Sequence, residues 1–276
     1  MSYPQRFPSD NPLVTVTHPT ATTWVLEMHN GEDSRFTDHF INHAFMPALD
    51  AVERHWRQDW RIAKANKDKE GGKGTLVIVG KRGQDKFFSN GLDYDNIMND
   101  PAYRISFFPI IMNPCYRRLI AFPIPTVAAI NGHCFAGAMC LALCCDYRVM
   151  TDGSSRRAWM CMNEVHFGSG WPLSLAAITR IKVTDARVHR KIALEGHRFT
   201  PSEALEAGII DYTVKGDTEA VIAKAQEVGE SVSGMAREGS WGTIKRDLYR
   251  DLLEACARET RPSSVIIDEA EAKARL

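Results

Sequence analysis

Three short segments of this chain carry residue types that could act together on one substrate. The first is Phe88-Ser89-Asn90-Gly91-Leu92-Asp93, read as a strand-to-loop corner. The second is Asn131-Gly132-His133-Cys134-Phe135-Ala136-Gly137-Ala138, read as a strand–turn–helix corner. The third, Met162-Asn163-Glu164-Val165, supplies a carboxylate in apolar company. Gly91 permits a sharp turn that leaves the Leu92 N–H free. Gly137 falls in the first turn of a short helix, so its N–H is among those without a helical partner. The helix dipole adds positive potential there. Two such amides can hold a carbonyl oxygen while it becomes an enolate. Losing one donor of this type costs roughly 3–4 kcal/mol of barrier in well-studied hydrolases. Glu164, flanked by Met160-Cys161-Met162 and Val165, is expected to have a pKa raised by desolvation, which suits a general base.

The elements that must position these corners follow from hydrophobic patterning. Val14 to Thr17 and Thr23 to Met28 read as a strand pair, and His29 to Ser34 as a loop. Thr37 caps a long helix to about Ala65, with Phe40, Ala44, Ala48, Val52 and Trp56 at helical spacing. The charged stretch Lys67 to Gly74 is a solvated connection. Thr75 to Val79 and Thr126 to Ile130 are short continuous apolar runs, typical of buried parallel strands. Tyr94 to Ala121 reads as mixed helix and loop, broken by Pro101, Pro109 and Pro114. Ala136 to Cys144 is a short buried helix, and Asp146 to Met150 a third buried strand. From Pro172 onward the pattern is helical, with stops near Gly196, Pro201 and Gly208. Thr218–Arg237 and Ser240–Arg258 read as two amphipathic helices. This order of strands and helices predicts a layered α/β fold with crossover connections.

Composition narrows the function classes. The chain has 276 residues, with 34 Lys and Arg balancing 34 Asp and Glu, so nucleic acid is not expected as its main partner. Its seven cysteines are odd in number and lie mostly in apolar runs, which reads as reduced core thiols. No zinc-type Cys pairing occurs, so no metal is expected. The N-terminal stretch is polar and Pro-rich without an apolar signal core. No apolar run approaches the roughly 20 residues of a membrane span.

The three segments resemble the F-x-x-G-x-D, N-G-x-x-x-x-G and catalytic-Glu segments of the enoyl-CoA hydratase/isomerase (crotonase) family. The resemblance covers approximately residues 12–258, in matching order and spacing. It implies a spiral of ββα units, with a C-terminal helical region that makes trimers or dimers of trimers. The organisation expected is a spiral core over 12–195, a helical region over 196–258 and a polar tail over 259–276, mobile until bound. By resemblance, Leu92 and Gly137 supply the oxyanion-hole amides and Glu164 is the catalytic carboxylate. Coenzyme A is then part of the substrate and would lie in a bent groove beside Ser89, Asn90, Gly91 and Leu92. Ala136 would border it, and Arg35 is the candidate for its phosphates. No separate cofactor is implied.

Hydratases of this family use two glutamates. The position for one of them, three residues after the oxyanion glycine, holds Cys140 here. A thiol in apolar surroundings is a poor group for activating water. One carboxylate is enough for an isomerase, which moves a proton from C2 to C4. The pattern therefore favours a Δ3,Δ2-enoyl-CoA isomerase. A hydratase or another crotonase reaction, and a non-catalytic acyl-CoA-binding scaffold, remain as alternatives. Ser169, in Gly168-Ser169-Gly170-Trp171, lacks the G-x-S-x-G form of a nucleophile elbow and reads as pocket lining. His133 and His166 read as packed or hydrogen-bonded histidines, and Asp93 as a brace for the loop. Asp95 is a weaker second acid. Phe107, Phe108, Trp159, Phe167 and Trp171 fit an acyl tunnel and plain core packing equally well. The chain ends Ala274-Arg275-Leu276, of the small-basic-Leu type read by the peroxisomal import receptor, which predicts a peroxisomal location for such chemistry.

Overall fold

A computed structural model describes residues 1–258 and 265–275. The segment 259–264 and Leu276 fall outside the described residues, so the import tripeptide is only partly within them. Seven strands build the main sheet: β1 (Gln5–Phe7), β2 (Val14–Thr17), β3 (Thr23–Met28), β4 (Thr75–Val79), β6 (Thr126–Ile130), β8 (Tyr147–Thr151) and β10 (Tyr212–Val214), in that spatial order. The hairpin-like first three pair antiparallel, and β3, β4, β6, β8 and β10 pair parallel. A second, three-stranded parallel sheet orders β5 (Phe87–Ser89), β7 (His133–Phe135) and β9 (Met160–Cys161). Thus β4, β6 and β8 each hand the chain to one strand of the small sheet, and a helical segment returns it to the main one. This is the expected α/β spiral of ββα units, written in backbone.

Both faces of the central strands are covered, which explains their unbroken apolar sequence. Val77, Val79, Val127, Ala129 and Val149 point to the helix Thr218–Ser233 and meet its Val221, Ile222, Ala225 and Val228. Leu76, Ile78, Ala128, Ile130 and Met150 point the other way, into the large core. There the long N-terminal helix contributes Phe40, Ala44, Ala48, Val52 and Trp56, all fully buried. Thr37 caps that helix, its Oγ1 accepting from Phe40 N at 3.0 Å.

Prolines shape the helices differently from the sequence expectation. Pro101 opens the helix Pro101–Ser106, with the Asp100 side chain capping it. Pro109 sits within a π-turn, Phe107–Met112, and Pro114 lies at the start of the helix Asn113–Ile120. The chain stays helical from 101 to 120, because the wider π-turn relieves the clash that a proline ring makes with the carbonyl four residues back. The same device, Ile41–Phe45, precedes Pro47 in the long N-terminal helix. Pro201 is likewise a start, not a stop: it is the first helical residue, inside the capping box of Thr200 and Glu203.

Two other elements depart from expectation. β10 was not predicted, and at three residues it is too short to show alternation. Ser240–Arg258 is two helices, Trp241–Leu248 and Arg250–Ala257, broken at Tyr249. The polar tail contains a helix, Val265–Ala274. All seven cysteines are buried and free. No described helix is long and apolar enough to cross a membrane.

A buried ion pair ties the C-terminal helices to the sheet. Lys245 Nζ lies 2.8 Å and 2.9 Å from the two Asp146 oxygens, with side chains 6% and 9% exposed. Thr126 donates to the same carboxylate through both its N–H and its hydroxyl. Removing one partner of such a pair strands the other charge. Lys245→Met should therefore lose about 3–5 kcal/mol of stability, read from urea unfolding.

Candidate active site

The first corner follows β5. Ser89 Oγ donates to Ser34 O at 2.6 Å and accepts from Gly91 N at 3.1 Å. Asn90 binds Asp33 twice, main chain to main chain at 2.8 Å and Nδ2 to carboxylate at 3.0 Å. Arg35 Nε meets the same carboxylate at 2.9 Å, and its Nη1 donates to Leu92 O at 3.0 Å. Phe36 N donates to Gly91 O, Asp93 N to Phe36 O and Tyr94 N to Leu92 O. Every amide from Asn90 to Tyr94 is thus used except that of Leu92, which has no partner among the described residues.

The second corner follows β7. Ala136 N donates to Cys161 O at 2.7 Å, which locks the turn to β9. Ala136 itself has φ 53° and ψ −127°, a conformation that an L-residue adopts only under constraint. The helix Gly137–Cys144 begins at the next residue, and Gly137 N has no partner among the described residues. The Tyr116 hydroxyl donates to Gly137 O at 3.1 Å, fixing the peptide that follows the unbonded amide.

The two corners touch. Gly91 has φ +78°, and a Cβ there would sit 2.5 Å from Phe135 O and 3.1 Å from Gly137 N. A Cβ on Gly137 would in turn meet the Leu92 side chain at 2.9 Å. Only glycines let the two backbones approach this closely. The approach brings the two unbonded amides, Leu92 and Gly137, to one place.

Glu164 opens a 3-10 turn, Glu164–Phe167, directly after β9 and Met162. It is 7% exposed, and its Oε2 is buried without a hydrogen-bond partner. Burial pushes its carboxyl pKa up, opposed by its own backbone amide and the Trp171 indole. Cys140 lies one turn into the helix that Gly137 opens. Its thiol is pushed well above its usual range by burial first and by the nearby Glu164 charge second. Cys140 Sγ lies 3.9 Å from Met162 Sδ, so the position is apolar. The Glu164 turn is held from both sides. Phe167 packs edge-on against Tyr94 with centroids 4.6 Å apart, and His166 Nε2 reaches Gly196 O at 3.2 Å.

Leu92, Gly137, Gly91, Ala136, Ser89 and Asn90 therefore assemble at the joined corners, with Cys140 linking them to Glu164. Arg35 stands behind that corner, where its guanidinium is engaged by Asp33 and Leu92 O. His133 Nδ1 accepts from Trp159 N at 3.1 Å and stacks on that indole, and burial lowers its pKa. Asp95 is exposed, and Asn96 bonds the Asp93 carboxylate. Ser169 donates its main-chain N–H to Glu164 O. Three contributors escaped sequence reasoning: Asp33, Tyr116 and Tyr94. Each acts through a partner remote in sequence, so no local pattern marks it.

The sequence and the fold have counterparts among known proteins. The sequence matches the family model described as Enoyl-CoA hydratase/isomerase over residues 47–250. The chain belongs to the enoyl-CoA hydratase/isomerase family. It is 30% identical over 195 residues to "Enoyl-CoA delta isomerase 2, peroxisomal" of Arabidopsis thaliana, covering 68% of this chain and 79% of that protein. It is 29% identical over 180 residues to "Enoyl-CoA delta isomerase 1, mitochondrial" of Homo sapiens, covering 65% and 54% respectively. Among solved structures, an apo enoyl-CoA isomerase of Mycobacterium tuberculosis superposes with a TM-score of 0.69 at 23% identity, over 88% of this chain and 94% of that one.

The close approach at Gly91 yields a direct test. Gly91→Ala must push the corners apart and misplace one of the two amides. Turnover should fall by about 10^2–10^3-fold while far-UV circular dichroism stays native.

Proposed function

We propose that this chain is a Δ3,Δ2-enoyl-CoA isomerase. The observation that carries the reading is the pairing of two unbonded amides, Leu92 and Gly137, with one buried carboxylate, Glu164, while apolar Cys140 fills the neighbouring position. The relatives named as enoyl-CoA delta isomerases support it. The substrate thioester oxygen accepts from both amides. Glu164 takes a proton from C2, and the electrons of that C–H bond pass into an enolate whose charge rests on the held oxygen. The C3–C4 double bond moves to C2–C3 as C4 takes the proton back from Glu164. The reaction is redox-neutral and needs no group beyond the coenzyme A of the substrate, held beside Ser89, Asn90, Gly91 and Ala136. Arg35, two of whose five N–H donors are taken by Asp33 and Leu92 O, offers its remaining edge to the phosphates. A trimer or a dimer of trimers is the proposed assembly.

Burial of Glu164 suits this role. A base with a raised pKa is a stronger proton acceptor when ionised, and its conjugate acid is still strong enough to return the proton. The base must be ionised to begin. A raised pKa therefore moves the acid limb of kcat/KM above the ordinary glutamate range, and activity falls as pH drops through that limb.

The deciding measurement supplies 3-enoyl-CoA and 2-enoyl-CoA separately to wild type and Glu164→Gln. The wild type should isomerise the 3-enoyl substrate and add water to the 2-enoyl substrate far more slowly. The variant should lose about 10^3-fold of turnover, and its acid limb, while still binding CoA. Rapid hydration with negligible isomerisation would sink the isomerase reading, and unchanged activity in the variant would favour a scaffold.

A peroxisomal location is proposed from the terminal Ala274-Arg275-Leu276. The Arabidopsis relative carries "peroxisomal" in its name and the human one "mitochondrial". Deleting Leu276 from an N-terminally tagged protein should change punctate fluorescence to diffuse; persistent puncta would refute the signal.

A further inference from the structure

A charged groove lies on the far face of the helix that carries Tyr116. The helix Asn113–Ile120 buries Tyr116 against Gly137 and turns Arg117 and Arg118 outward. They line a groove of about 400 Å³ between this helix, the long N-terminal helix and the C-terminal helices. Arg57 and Arg246 line it too, and Glu53 is its sole lining carboxylate. None of the residues assembled at the joined corners takes part in it.

The groove is prearranged for anions. Glu53 holds Arg57 through Nε at 2.5 Å and Arg118 through Nη2 at 2.5 Å. Those guanidiniums also lie over aromatic rings, Arg57 over Trp56 at 5.3 Å and Arg118 over Phe122 at 5.1 Å. Both are fixed in place, yet each keeps donors beyond the ones Glu53 uses. Arg117 and Arg246 have no carboxylate partner among the described residues. Arg118 also meets the Asp50 carboxylate at 2.9 Å, so four guanidiniums against Glu53 and Asp50 leave the groove with a surplus of two positive charges. A cleft so charged concentrates anions, and paired guanidinium forks match phosphate oxygens. Met46, Pro123 and Leu253 add an apolar strip beside the charges.

We propose that this groove is a binding site for a small diphosphate-bearing anion, with the phosphates on Arg117 and Arg246 and the organic part on the apolar strip. Two sources share that chemistry: a free nucleoside diphosphate, and the diphosphate of a second coenzyme A molecule. The proposal rests on the groove alone and does not depend on which reaction Glu164 performs.

Isothermal titration calorimetry on the full chain tests it, with inorganic pyrophosphate, ADP and CoA as separate titrants. Wild type should bind pyrophosphate, and R117A/R246A should bind it about 100-fold more weakly, about tenfold for each charge-assisted contact removed. The double variant should keep wild-type turnover of enoyl-CoA and a native circular dichroism spectrum. Should it fold poorly, R246E, altered at one exposed position, carries the same expectation of weakened binding. Two equivalents of CoA in wild type and one in the double variant identify coenzyme A as a source. Binding of ADP alone to the second site identifies the free nucleotide. Absence of pyrophosphate binding overturns the proposal, as does binding that persists undiminished in the variants.

Discussion

The site depends on one contact between backbones: Gly91 laid against the Phe135–Gly137 turn. There is no room for a side chain at that point. The approach sets two peptide N–H groups at the same place and leaves both unbonded. Backbone donors left unused are uncommon in a folded protein, because an unpaired buried amide is unfavourable. Here bonds to Asp33, Ser34, Phe36, Cys161 and Tyr116 brace the backbone around both corners, so the two amides are held in place by their surroundings.

The bracing has its own energetic strain. Ala136 is held at positive φ, in a conformation worth on the order of 1–3 kcal/mol of strain for a residue with a Cβ. The hydrogen bond from Ala136 N to Cys161 O and the packing of the Gly137–Cys144 helix in the core hold it there. Glu164 adds a second unfavourable feature, a carboxylate oxygen buried without a partner. Both lie at the joined corners and their neighbour β9, and the two sheets on either side are saturated with apolar contacts. Strain collects where chemistry is proposed, and the core around it is what makes that tolerable.

The pairing of sheets explains how three distant segments come to lie near one another. Each turn of the spiral places a strand in the main sheet and a short one in the small sheet. β5, β7 and β9 lie side by side, so the corners that carry Leu92 and Gly137 and the turn that carries Glu164 follow adjacent strands although they are far apart in sequence. Fold likeness alone would not select the reaction. The local chemistry of Glu164 and Cys140 does that work in the proposal.

The sequence by itself determined the buried strands, the capped N-terminal helix and the glycines that mark both corners. These are local signals: unbroken apolar runs, helical spacing and residues able to turn sharply. Apolar neighbours in sequence also foretold the desolvation of Glu164. The sequence did not determine the short strands of the small sheet, whose two or three residues carry no periodicity. Nor did it show that π-turns would carry the chain through Pro109 and up to Pro114. Tertiary structure alone decided that Arg35 braces Leu92 O and that Tyr116 steadies Gly137. It also made the arginines of three separate helices one groove. Those facts depend on which remote segments the sheets bring together, and no pattern within a single segment records that.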